Sequence, residues 1–81
     1  MINDLWDKPV ELMIDGPDHF HCVGSSREAV ACLTKSWPGE HDAFYVAARR
    51  ACMKAMEGKV RSEEAQAAFI NAAENAGILR H

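Results

Sequence analysis

Residues 9–30 read PVELMIDGPDHFHCVGSSREAV, and the hydrophobic period changes partway through them. Val10, Leu12 and Ile14 alternate with Glu11 and Met13, the period of two of a half-buried strand. Asp15-Gly16-Pro17-Asp18 is a dense cluster of turn formers: glycine tolerates positive φ and proline fixes its own. Residues 19–23, HFHCV, then alternate again, so the two segments read as a β-hairpin closed at Asp15–Asp18. The register stays open, because Phe20 and Cys22 on one face and Val23 on the other are all apolar. From Gly24 onward the pattern is helical. Ser25 precedes Glu28 by three residues, the capping-box spacing. Ala29, Val30, Cys32, Leu33 and Trp37 then recur at helical intervals until Pro38-Gly39 ends the run.

Downstream, EHDAFYVAARRACMKAMEG (residues 40–58) carries the strongest helical signal. Phe44, Tyr45, Ala47, Ala48, Ala51, Cys52, Ala55 and Met56 fill about half of a 100° wheel, with Arg49, Arg50, Lys54 and Glu57 opposite. So wide an arc predicts a central helix with more than one neighbour. Val46 and Met53 are apolar but fall within the charged arc. Gly58 stands where a helix-terminating glycine belongs. A third helix opens at Ser62, the expected cap, with Glu63 and Glu64 at the positive end of its dipole. Its apolar face is Ala65, Ala68, Phe69, Ala72, Ala73 and Ala76. Gly77 stops it, and Ile78 is placed to close the cap by packing back on the last turn. Residues 78–81, ILRH, either follow the cap as coil or continue as a short strand beside the hairpin. Strands first and helices after is an α+β pattern, β-β-α-α-α-(β), with three helices on one face of a small sheet. Trp37 is expected in the core and Trp6, in the N-terminal segment, to matter less.

The 81 residues form a single small domain, residues 1–81, with one modest core. Apolar residues make up 48% and charged residues 26%, which argues against disorder. The net charge is −3 and the basic residues are dispersed, so nucleic acid is not an expected partner. No stretch approaches the ~20 apolar residues of a membrane span, and MINDLWDKPVE lacks the apolar core of a secretory signal. Cys22, Cys32 and Cys52 are odd in number and without CxxC spacing. They read as free thiols in a reducing, cytoplasmic setting.

The polar groups of the opening stretch suggest chemistry only weakly. His19 and His21 share a strand face, while Cys22 points the other way. A structural zinc needs four ligands and a catalytic zinc usually three. His41 and His81 would have to come from a helix start and the chain end, so no metal or cofactor is expected. Gly24-Ser25-Ser26-Arg27 follows a strand and opens a helix, where backbone N–H groups can hold an anion. Yet the capping box already uses Ser25 and Glu28, and the Glu28 carboxylate would repel one. No catalytic residue stands out: Cys32 and Cys52 fall on apolar faces, and Asp4, Asp7, Glu11, Asp15 and Asp18 show no pairing suited to acid–base work.

Trp37-Pro38, AARRACMKAMEG and AQAAFINAAENAGI together resemble the short alphaproteobacterial proteins grouped as domain of unknown function 982. The matching features are Pro9-Val10, Ser25 or Ser26 before Glu28-Ala29, Trp37-Pro38, Ala51-Cys52 with Gly58, and Ala68-Phe69-Ile70 with Ala76-Gly77-Ile78. The resemblance implies an arginine near position 66 in many members, where this chain has Gln66. It implies no activity. The expected function is a small non-catalytic cytoplasmic interaction or regulatory module with an unidentified protein partner. A homodimer through the small sheet or the Val46–Met53 stripe is one form it could take. The alternative is a small-molecule or anion-binding protein using Ser25–Arg27, and an enzyme ranks below both.

Overall fold

In the computed structural model, which describes residues 5–13, 20–38 and 40–79, two antiparallel strands precede three helices. Strand β1 is Leu5–Leu12 and β2 is His21–Ser25. Helices α1, α2 and α3 are Ser26–Lys35, Ala43–Met56 and Ser62–Ala76. This is the α+β layout that the change of period implies. Ile14, the Asp15–Asp18 turn, His19, Gly39, Arg80 and His81 lie outside the described residues.

The sheet pairs Val10 with Val23, Glu11 with Cys22 and Leu12 with His21, which puts Val10, Leu12 and Val23 in the core. Strand β1 starts four residues before the expected Pro9. Its first pairing is Leu5 with Ser25, and the register shifts between Leu5 and Val10. Pro9 lies in that irregular stretch; it has no N–H to give a ladder and is tolerated at such bulges. The early start buries Trp6, which is 7% exposed. Its indole Nε1 donates to the buried Ser26 Oγ at 3.2 Å, and its ring lies 5.5 Å from that of Phe69. Trp37, beyond the end of α1, is half-buried against the core, 5.8 Å from Phe69 and 6.2 Å from Tyr45. Trp6 is therefore the more buried of the two tryptophans, against expectation: β1 turns it inward again beyond the irregular stretch in which Lys8 is exposed, whereas Trp37 has left its helix.

Among its described residues the tail contributes an isolated bridge. Leu79 pairs with Leu12, and the Met13 N–H donates to the Ile78 carbonyl at 2.7 Å. The chain end thus covers part of the outer edge of β1.

At the start of α1 the Ser25 Oγ accepts from the Glu28 N–H at 3.2 Å. The Glu28 carboxylate accepts from the Gly24 N–H at 3.0 Å, one residue earlier than in the usual reciprocal box. Helix α3 departs from expectation: Ser62 is its first helical residue, and Arg61 occupies the cap without a side-chain hydrogen bond. Helices α2 and α3 end alike. Gly58 and Gly77 adopt φ of 78° and 73°, a conformation that costs other residues a clash of Cβ with backbone. In α3 the Ile78 N–H reaches the Ala73 carbonyl and the Gly77 N–H reaches Glu74, while Lys59 and Gly58 do the same to Lys54 and Ala55. These paired bonds satisfy carbonyls that each helix end leaves open.

The helices pack through small side chains. Ala48, Cys52 and Ala55 of α2 and Ala65, Ala72 and Ala73 of α3 are buried, which lets the two axes approach closely. Helix α2 also packs on α1, as its wide apolar arc requires. The arc is narrower than the wheel implies at its start, where Phe44 is 49% exposed.

Candidate functional site

Two anchors set the rotation of α2. Asp42 caps it: Oδ1 accepts from the Tyr45 N–H at 3.0 Å, and Oδ2 accepts from the Asn75 side chain at 2.8 Å. Tyr45 turns inward and its hydroxyl donates to the Leu33 carbonyl at 2.7 Å. With Tyr45, Ala48, Cys52 and Ala55 facing in, Val46, Arg49, Arg50, Met53, Lys54 and Glu57 line a different stripe. Val46 and Met53 are 45% and 42% exposed, too much for core and enough for contact. Together with Lys59 this stripe forms a shallow groove of about 380 Å³.

The groove is cationic although the chain is acidic. Its lining holds Arg49, Arg50, Lys54 and Lys59 against one carboxylate, Glu57. Lys59 pairs with Glu57 at 3.0 Å. Among the described residues, Arg49, Arg50 and Lys54 have no acidic partner. Such a surface offers apolar area and positive charge for binding. Its signal in the sequence was the seven-residue spacing of Val46 and Met53 inside a charged arc.

A second cleft, about 620 Å³, lies between β1 and α3 and is lined by Lys8, Pro9, Val10, Glu11, Gln66, Ile70 and Leu79. It is larger, but its strand edge is partly occupied. Gln66 Nε2 donates to the Lys8 carbonyl at 2.7 Å, Pro9 has no N–H, and Leu79 bridges Leu12. Near the position where the resemblance implies arginine, the amide of Gln66 thus latches α3 to the sheet.

The strand–helix junction is filled by its own side chains. Ser25 Oγ, the Glu28 carboxylate and the Gly24 N–H are bonded to one another's segments, and Ser26 Oγ receives Trp6. Of the histidines, His21 is exposed on β2 and His41 stacks on Tyr45 with ring centres 4.0 Å apart. His19 and His81 lie outside the described residues. Among the described residues, no three His, Cys, Asp or Glu side chains converge as a metal would need. Likewise, no described helix is long and apolar enough to cross a membrane.

Cys22 is exposed, whereas Cys32 and Cys52 are buried, and all three are free. Desolvation by burial pushes the Cys32 thiol up to about 11 and the Cys52 thiol up to about 12. Buried and with raised values, both thiols are poor sources of thiolate at neutral pH. Native-state labelling should modify Cys22 first and reach Cys52 only through unfolding; Cys52 reacting as fast as Cys22 contradicts this packing. The raised values also set a pH dependence. The unfolded thiols ionise near 9 and the folded ones do not, so their contribution to stability is complete below pH 9 and is lost as pH rises toward 11–12.

A family model described as protein of unknown function (DUF982) matches residues 8–80 of the chain. No curated protein and no solved structure shows detectable similarity to it.

Proposed function

The chain belongs to the DUF982 family, and we propose that it works as a small non-catalytic module that docks another protein. One observation carries this reading: α2 exposes Val46 and Met53 between arginines that have no acidic partner among the described residues. Exposed apolar groups ringed by charge suit an interface whose centre is apolar and whose rim is polar. The three free cysteines fit a reducing compartment, so the cytoplasm is the proposed location. An anion site at Ser25–Arg27 has less support, because the Glu28 carboxylate occupies the Gly24 N–H and carries the wrong charge. Pull-down from the native host, comparing the intact chain with Val46→Asp/Met53→Asp, tests the reading. A protein retained by the first and lost by the second, at unchanged melting temperature, is expected. A set of bound proteins indifferent to the substitutions overturns it.

Self-association is a second form of the same role. It has most room at β2, whose outer edge carries no strand among the described residues and whose His21 and Cys22 are exposed, as is Phe20 just before them. The outer edge of β1 is less open because of Gln66 and Leu79. Sedimentation over a wide concentration range reads this directly: a strictly monomeric mass at high micromolar concentration leaves only the hetero-partner.

A further inference from the structure

We infer that the α2 groove receives an acidic amphipathic helix of another protein; this rests on the docking role proposed above and names its partner's chemistry. The charge comes first. Four cations and one carboxylate line the groove, on a chain of net charge −3. Apart from the Lys59–Glu57 pair, these cations have no acidic partner among the described residues. Facing carboxylates at the rim would steer encounter and reject other partners.

The same charge argues against a second copy on this face. A two-fold contact brings one patch against itself, so Arg49, Arg50 and Lys54 would confront their own images. Nucleic acid is also a poorer fit. Three unpaired cations would release few counterions, and Val46 and Met53 would lie against phosphate, with neither groove nor base to fill.

Spacing selects the conformation of the occupant. Val46 and Met53 are two turns apart, a rise of about 10.5 Å along the helix axis. Residues on one face of an extended strand repeat every ~6.7 Å, which misses that interval. A helix running at a shallow angle to α2 repeats at the same 10.5 Å and sets its own i and i+7 side chains beside the two apolar residues. Carboxylates flanking those side chains then reach Arg49, Arg50 and Lys54.

The test titrates the intact protein with a labelled helical peptide carrying leucine at i and i+7 flanked by glutamates. Comparison probes are the same peptide with lysines for glutamates and a short DNA duplex. The glutamate peptide should bind saturably, and Arg49→Glu/Arg50→Glu should weaken it by about tenfold or more while admitting the lysine peptide, as expected when rim charges choose the partner. The melting temperature of this surface variant should be unchanged. Equal binding of both peptides, no binding of the glutamate peptide at high micromolar concentration, or tighter binding of the duplex each overturns the inference. The pull-down with the Val46 and Met53 variant reports separately on docking itself, so an acidic-helix failure and a docking failure give different results.

Discussion

Phe69→Ala should lower stability by about 3–5 kcal/mol, the usual range for truncating a buried aromatic. Phe69 is 0% exposed, and the rings of Trp6 and Trp37 lie 5.5 and 5.8 Å from its own. Its removal leaves a cavity between α3, β1 and the segment after α1, and two large rings cannot easily collapse into it. A chain of 81 residues has a total stability on the order of 4–12 kcal/mol, so this one change could leave much of the population unfolded. Urea titration followed by tryptophan fluorescence measures the effect. A loss of ~1 kcal/mol or less would mean that the three rings do not form one packed unit.

Trp6→Ala should cost a similar ~3–5 kcal/mol and clearly exceed Trp37→Ala. Trp6 is the more buried ring, and it alone donates a buried hydrogen bond, to Ser26 Oγ. Trp6→Phe should recover most of the loss and leave a deficit of about 1 kcal/mol for the missing N–H. Trp37 retains part of its solvent contact, so its truncation forfeits less buried area. Because Trp6 and Phe69 touch, the double alanine variant should lose less than the sum of the two single losses. Equal losses at Trp6 and Trp37, or the reverse order, would contradict the extension of β1 to Leu5.

The acidic-helix proposal gives these stability variants a further use. Phe69 and Trp6 are buried in the core, whereas Arg49 and Arg50 are exposed and have no acidic partner among the described residues. Core variants should therefore change melting without changing which peptide binds to the folded fraction. Charge-reversal variants should change peptide choice without changing melting.

The order of elements was legible because its signals are local. Alternation at Val10 and Leu12, the Ser25–Glu28 spacing and the glycines at 58 and 77 each act within about one turn or one strand, and each is found where expected. Cys52 could be placed in the core because helical periodicity alone turns it inward beside Ala48 and Ala55. The Val46–Met53 stripe could be read for the same reason. Tertiary structure decided the rest. The bond from Gln66 to Lys8 spans 58 positions, and that from Asn75 to Asp42 spans 33; neither leaves a periodic trace. The burial of Trp6 depends on a register shift around Pro9, and the bridge from Leu79 to Leu12 depends on where α3 ends. Whether Arg49 and Arg50 are solvated charges or the rim of a groove is likewise a question of which side chains lie across from them. Spacing along a chain encodes which way a residue faces, but only the packed fold determines what it meets there.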